Sequence, residues 1–162
     1  MKKEITKKHQ EIFKEAPSSV HFMPGILPLA GEHIEEAGGQ ALLLPVNHGI
    51  TLAISETKGS GITIYDTLLE TKKTYPLMEH TLKETLPREE KTIHALFNKL
   101  HKERGTTEKS YNITIMPSLD NYHAFHLEQA KLLLIAYTLN RYLSWNIMHE
   151  KLIKYTNDVY LT

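Results

Sequence analysis

The feature that most constrains the fold is the segment from His126 to Tyr142, which has helical periodicity yet is apolar on nearly every side between Leu132 and Leu139. A helix of this kind needs cover from several directions, so it has to lie at the centre of a layered domain. Its apolar stretch is far too short to span a bilayer. With 162 residues, 41% of them hydrophobic, the chain can build one compact core around such a helix.

The segments around this helix predict a mixture of helices and strands. Apolar residues at helical spacing predict helices over 4–15, from Pro87 to Gly105, and after a cap at Asn146. Short apolar or alternating runs predict strands at 20–23, 41–44, 51–55, 62–66, 73–77 and 111–116. Because strands and helices are partly segregated along the chain, the sequence predicts an α+β fold, a mixed β-sheet with helices packed on one face.

Charge and composition exclude several classes of protein. Nineteen basic residues balance nineteen acidic ones, whereas nucleic acid or an anionic membrane as main partner would favour a basic excess. The chain has no cysteine, which excludes disulfides, thiolate chemistry and zinc–thiolate sites. The polar, charged residues 2–8 lack the apolar core of a signal peptide. We therefore expect a soluble cytoplasmic protein with no nucleic-acid and no membrane partner.

One run of residues resembles a known signature. Residues 22–39 read Phe-Met-Pro-Gly-Ile-Leu-Pro-Leu-Ala-Gly-Glu-His-Ile-Glu-Glu-Ala-Gly-Gly. This run resembles the galactokinase signature A-P-G-R-V-N-L-I-G-E-H-T-D-Y-N-G-G, from sugar kinases of the GHMP family. The match needs no gap and holds at Pro24, Gly25, Leu29, Gly31, Glu32, His33, Gly38 and Gly39. Flanking segments also resemble the family, so the likeness extends over nearly all of this chain but under half of a full galactokinase.

The resemblance implies a fold and a domain organisation. The expected fold is ribosomal protein S5 domain 2-like, as in the N-terminal domain of GHMP kinases. Residues 1–162 would form one galactokinase-like N-terminal domain, and the family's C-terminal domain, with its catalytic Asp, would be absent. Apolar surface left bare by that absence would favour self-association or another protein chain as partner.

The same resemblance implies a sugar site. In the family the Glu, His and Asp of the motif bind the sugar, and carboxylates and imidazoles suit its hydroxyls. The implied substrate-binding residues are Glu32, His33 and Glu35, with Gly31, Gly38 and Gly39 shaping the loop. Glu35 replaces the family's Asp and is one methylene longer, so a galactose-like monosaccharide is the expected ligand without fixed specificity. The alternative is that the glycines serve the loop backbone alone, with Glu32 and His33 paired locally.

The phosphoryl-transfer parts of the family pattern are not conserved in this sequence. Ile26 stands where the family has an Arg, and an apolar side chain cannot stabilise transition-state charge. The family's glycine- and serine-rich phosphate loop corresponds to residues 117–125, which contain no glycine and one serine. We therefore expect no catalytic residue and no cofactor, with ATP and magnesium binding only if a vestigial kinase site survives.

Three functions stay open at this stage. The first is a galactokinase-like pseudokinase domain that binds a monosaccharide but does not phosphorylate it alone. The others are a self-associating or partner-binding protein on a truncated kinase fold, and one part of a split galactokinase. Ten histidines include His123 and His126 near Asp120 and Glu128, but they form no metal-binding motif, so we expect no metal site.

Overall fold

The computed structural model describes residues 2–31, 38–59, 61–76, 86–105 and 109–160. In chain order these residues form α1 (Lys2–Phe13), β1 (Ser19–Ala30), β2 (Leu42–Thr57), β3 (Ile62–Asp66), β4 (Thr71–Tyr75), α2 (Arg88–Arg104), β5 (Ser110–Pro117), α3 (Leu127–Tyr142) and α4 (His149–Tyr160). A single 3-10 turn, Ala124–His126, leads into α3. None of the described helices combines the length and apolar character that crossing a bilayer requires.

The strands form one mixed sheet in the order β1-β2-β5-β3-β4. The pairs β1–β2, β2–β5 and β3–β4 are antiparallel, and β3 runs parallel to β5. β5 enters the sheet between β2 and β3 after the helix α2, which supplies the crossover that a parallel pair needs. The predicted α+β class with a mixed sheet is confirmed.

Helices α2 and α3 cover one face of the sheet, and α4 packs against both of these helices on the same side. Alternate residues of the strands point to this face, so β2 contributes Leu52 and Ile54 while β5 contributes Ile113 and Ile115. The helices bury their apolar stripes against them, and full burial of each such side chain contributes about 1.5–3 kcal/mol. As the sequence predicts, α3 is the central helix, with buried apolar residues on several sides: Leu127, Leu132, Leu134, Ile135, Ala136 and Leu139.

Helix α1 packs on the opposite face of the sheet from the other three described helices. Its His9 is fully buried against the intervening residues of β2 and β5, where Nε2 lies 2.9 Å from Ser55 Oγ and Nδ1 lies 2.9 Å from Thr114 Oγ1. These two hydroxyls point away from the main core because strand side chains alternate. The described helices therefore lie three on one side of the sheet and one on the other, whereas the sequence predicts a single helical face.

The sheet extends beyond its helical cover at one end. β2 pairs with β5 only from Ile50 onward, so residues 42–48 are paired with β1 alone. We call residues 26–30 and 42–48 the ribbon. Its large apolar side chains are exposed, namely Ile26, Leu29, Leu42, Leu43 and Leu44. The ribbon thus presents an apolar surface that no described element covers.

Candidate functional site

The far end of the ribbon carries the predicted sugar-binding loop. Gly31 follows β1 with φ +77°, and an added Cβ there would collide with the carbonyl oxygen of Gln40. Gly38 has φ +78° in open space, and Gly39 is exposed beside it. Positive φ values are easily adopted only by glycine, so the backbone conformation is a sufficient reason for glycine at positions 31 and 38.

The three polar residues of the predicted sugar site lie outside the described residues. Glu32, His33 and Glu35 fall within the range 32–37, so their role as sugar ligands stays a prediction. The structure describes the positions on either side, Gly31 and Gly38.

Ile26 lies on β1, opposite Pro45 of β2. Its side chain is exposed at the base of the ribbon. The position that carries the family's Arg therefore offers an apolar surface and no hydrogen-bond donor, so it has no means of stabilising a transferring phosphoryl group.

The loop between β5 and α3 is filled by its own side chains. Phe125 adopts φ +53° and packs so closely on Gly25 of β1 that an added Cβ there would lie 2.8 Å from the Phe125 Cβ. The ring of His48 stacks on Phe125, with 6.1 Å between centroids and 9° between planes. Consecutive left-handed residues, Phe125 and His126, are costly for non-glycine side chains. This packing leaves no room for a side chain at position 25, so glycine is required there.

The single serine of this loop is engaged in holding it to the sheet. Ser118 Oγ accepts a hydrogen bond from the Gly49 amide at 2.8 Å, while the Ser118 amide donates to the Gly49 carbonyl at 2.9 Å. The Glu128 amide near the start of α3 donates to the Tyr122 carbonyl at 3.2 Å. Because these groups already have partners, the loop presents little of the open amide and hydroxyl cradle that a phosphate needs.

A buried charged cluster lies behind the same loop. The hydroxyl of Tyr122 donates to Asp66 Oδ2 at 2.6 Å, and the ammonium of Lys131 lies 3.6 Å from the same oxygen. Lys131 also bonds to Glu89 and sits 3.9 Å from the centre of the Tyr122 ring. Burial, and then the neighbouring Asp66 carboxylate, raise the pKa of Tyr122. The tyrosine is thus held as a neutral donor between β3 and α3.

The residues of this cluster were missed as functional candidates in the sequence. Asp66 ends a strand, Glu89 starts a helix, and Lys131 lies in α3, so they are far apart along the chain. One signal was available: a lysine inside the helix that is apolar on nearly every side has to be buried with a partner. The sequence does not identify that partner.

A cavity of about 540 Å³ opens in front of the cluster. It lies between the β3–β4 turn, the start of α2, the loop before α3 and the end of α4. The residues that line it are Leu68, Leu69, Arg88, Glu89, Thr92, Asp120, Asn121, Tyr122, His123, Glu128, Lys131, Leu132 and Tyr160. Of the predicted sugar-loop residues that the structure describes, Gly31, Gly38 and Gly39 are not part of this lining.

The histidines near this loop have ordinary surroundings. His123 Nδ1 lies 3.3 Å from Glu128 Oε1. His126 has left-handed geometry at the start of α3 and is exposed. Within the described ranges, no group of three or more His, Asp or Glu side chains is arranged to hold a metal ion.

Comparison with known proteins addresses the resemblance directly. Residues 7–56 match the family model described as the galactokinase galactose-binding signature. The galactokinase of Lactococcus lactis, solved in complex with galactose, superposes with a TM-score of 0.77 at 17% identity, over 97% of this chain. The resemblance to galactokinases is confirmed. In sequence the match covers the second part of α1, all of β1 and nearly all of β2, and in structure it covers 97% of the chain.

The fold is shared more widely among GHMP kinases. The mevalonate kinase of Methanococcus jannaschii superposes with a TM-score of 0.69 at 14% identity, over 87% of this chain. This galactokinase-like chain spans 41% of the length of the lactococcal galactokinase and 45% of that of the mevalonate kinase. No curated protein sequence shows significant similarity to it. At these identities the superpositions establish the fold and leave the reaction to be argued from the residues.

Proposed function

We propose that this chain is a galactokinase-like pseudokinase domain that binds a galactose-like monosaccharide and does not phosphorylate it alone. The observation that carries the proposal is the galactose-binding signature over residues 7–56, which contains the loop between β1 and β2. In this proposal Glu32, His33 and Glu35 grip neighbouring sugar hydroxyls. Gly31, Gly38 and Gly39 shape the backbone that presents them.

Three features support the loss of phosphoryl transfer. Ile26 supplies no charge where the family has an Arg. Phe125 packs over Gly25 beside the loop that corresponds to the phosphate loop, and Ser118 is bonded to Gly49. Phosphoryl transfer depends on positioning and electrostatic stabilisation of the phosphates, and this arrangement is poorly suited to both.

Isothermal titration calorimetry and thermal shift with galactose, other monosaccharides and ATP–magnesium test the proposal. A ligand that binds only the native state raises the melting temperature as its concentration passes the Kd. We expect galactose or a related sugar to bind and ATP–magnesium to give no response. The variants Glu32→Gln and His33→Ala should each weaken sugar binding about tenfold or more, because each leaves a sugar hydroxyl without its partner.

The matched control is Glu36→Gln, a neighbouring acid at a position where the signature has Tyr and no acid. It should leave the sugar affinity unchanged. Sugar binding that survives the loss of Glu32, His33 and Glu35 together would refute the assigned site. No response to any sugar would refute the function, and release of sugar phosphate by the purified chain would refute the pseudokinase part.

A second candidate function is favoured by the exposed ribbon. Contiguous exposed apolar surface is typical of protein interfaces. A second copy of the chain could cover the ribbon. Alternatively, a separate chain could cover it and supply the remaining part of a split galactokinase, since this chain spans 41% of the lactococcal enzyme. Sedimentation velocity over a concentration series tests the first case, in which Leu42→Asp with Leu44→Asp should abolish self-association. Ile153→Asp, an equally apolar exposed residue on α4, is the control and should not. A wild-type protein that stays monomeric at high concentration would rule out the self-associated form.

A further inference from the structure

We propose that the cavity of about 540 Å³ in front of Tyr122 binds a small organic cation, a protonated amine carried on an apolar or aromatic body. This inference goes beyond the sugar site. The cavity lies among β3, α2, α3 and α4, whereas the predicted sugar loop follows β1.

The size and the walls of the cavity suit a small molecule with an apolar body. Pockets for small ligands commonly measure about 300–1,000 Å³. Leu68 and Leu69 of the β3–β4 turn, Leu132 of α3 and the ring of Tyr160 give the cavity apolar surface. A ligand made only of charge would leave this surface in contact with water, so the occupant has an apolar part.

The charges of the lining select the sign of the ligand. Among the described residues the lining has three carboxylates, Glu89, Asp120 and Glu128, and two permanent cations, Arg88 and Lys131. A cation therefore has a favourable potential, while an anion such as a nucleotide phosphate would be repelled.

Both cations of the lining are already engaged. The buried Lys131 is bonded to Glu89 and lies near Asp66, a further carboxylate behind the cavity wall. Arg88 donates from Nη2 to the Tyr160 carbonyl at 3.3 Å and lies over the Tyr160 ring, 5.6 Å from its centre. Neither is free to receive an anionic ligand without giving up these contacts.

Two carboxylates remain for the ligand. Asp120 is exposed on the loop, and within the described part of the chain no cation is paired with it. Glu128, at the start of α3, contacts the imidazole of His123 at 3.3 Å and the hydroxyl of Tyr160. Neither partner is a permanent cation. An ammonium group placed between Asp120 and Glu128 would neutralise the excess negative charge of the lining. The apolar part of the same ligand would then lie against Leu68, Leu69 and Leu132.

The test uses three probes that share one phenyl body and differ only in the end group: phenethylamine, phenethyl alcohol and phenylacetate. Calorimetric titration of the full chain near neutral pH measures each Kd. We expect the amine to bind at least about tenfold more tightly than the alcohol and phenylacetate to bind weakest, with the amine losing affinity as salt is raised. ATP–magnesium serves as the anionic alternative.

Variants locate the binding. Asp120→Asn combined with Glu128→Gln should reduce the amine affinity about tenfold and leave the alcohol unchanged. Glu150→Gln, an exposed acid on α4 outside the lining, is the matched control and should change neither. The proposal is overturned if the three probes bind equally, if phenylacetate or ATP–magnesium binds best, if the double variant keeps the amine affinity, or if no probe binds at about 10 mM.

Discussion

At the scale of single residues, substitutions at two glycines of the predicted sugar loop distinguish the cost of backbone strain from the cost of a steric collision. Both Gly31 and Gly38 have φ near +78°, but only Gly31 has a neighbouring carbonyl oxygen where a Cβ would go. Gly38→Ala should therefore lower the free energy of unfolding by about 1 kcal/mol through left-handed strain. Gly31→Ala should lower it by about 3 kcal/mol, because collision adds to strain. Urea unfolding measures both, and equal losses would contradict the proposed collision.

His9 gives the free energy of unfolding a dependence on pH. Burial lowers the pKa of His9 below its usual 6.5, an effect that the nearby Glu15 carboxylate partly offsets. Above that usual value the imidazole is neutral in both states, and its contribution does not change with pH. As the pH falls below it, the unfolded state takes up the proton first, so the free energy of unfolding decreases until the lowered folded-state pKa is reached.

The measurement for His9 is the urea midpoint at several pH values between about 7.5 and 5. Because the chain has other histidines besides His9, the informative quantity is the difference in slope between the wild type and His9→Gln. The variant loses part of the wild-type slope because glutamine takes up no proton in the unfolded state. Identical slopes in the two proteins would show that His9 is not held neutral between α1 and the sheet.

At the scale of elements, Lys131 links α3 to α2 and to β3. Its ammonium pairs with Glu89 and Asp66, and its side chain is only 4% exposed. Lys131→Met keeps the length but leaves two carboxylates facing each other, which should cost about 3 kcal/mol of unfolding free energy. Adding Glu89→Gln removes one of the opposed charges and should restore part of the loss. A single variant as stable as the wild type would mean that the pair contributes nothing net.

Strand lengths show where sequence reasoning fails at this scale. The strand at 62–66 was predicted with its observed bounds, because it has plain alternation between turns. β1 and β2 were predicted only as the short pieces 20–23, 41–44 and 51–55, which leave out Pro24, Pro28, Pro45 and Gly49. In the structure both strands run through them. Proline is tolerated there because β1 is an edge strand and β2 lacks its second neighbour along the ribbon.

The last helix shows a related failure. Asn146 was predicted to cap it, but α4 begins at His149, and Asn146 has φ +52° in the preceding connection. The connection is held by Asn140, whose side-chain oxygen accepts from the Ile147 amide at 2.9 Å and whose nitrogen donates to the Ile147 carbonyl at 3.0 Å. A contact seven residues away is not visible in local capping patterns, so the prediction was wrong.

The two candidate sites differ in how much of each could be predicted from the sequence. The loop from Gly31 to Gly39 is contiguous, so its residue types could be compared position by position with a signature. The cavity lined by Tyr122 and Lys131 is assembled from three helices, a loop and a turn. Residues that meet only through tertiary packing leave no spacing pattern in the sequence. The buried lysine was their single local signal.

At the scale of the whole molecule, the sheet divides into a covered part and an uncovered part. β5 is paired on both sides, and its buried residues lie beneath helices on one face and α1 on the other. Residues 42–48 of the ribbon pair with β1 alone, and Leu29, Leu42, Leu43 and Leu44 are exposed. Local opening is easiest where few apolar contacts must be broken. The ribbon should therefore open independently of the core.

Hydrogen exchange measured by mass spectrometry tests this division. Amides of β5 should exchange only through global unfolding. Amides of the ribbon should exchange faster by about two orders of magnitude or more, which corresponds to a free energy of opening lower by at least about 3 kcal/mol. If the sugar proposal holds, adding the sugar should slow exchange in peptides that span residues 31–41 and leave β5 unchanged, because only the loop gains contacts. The control is Glu32→Gln, in which the sugar should give little protection. If the ribbon of the free protein were as well protected from exchange as β5, the conclusion that the ribbon is uncovered would be wrong. If that protection disappeared on dilution, or in the variant that carries both Leu42→Asp and Leu44→Asp, a second copy of the chain would be its source.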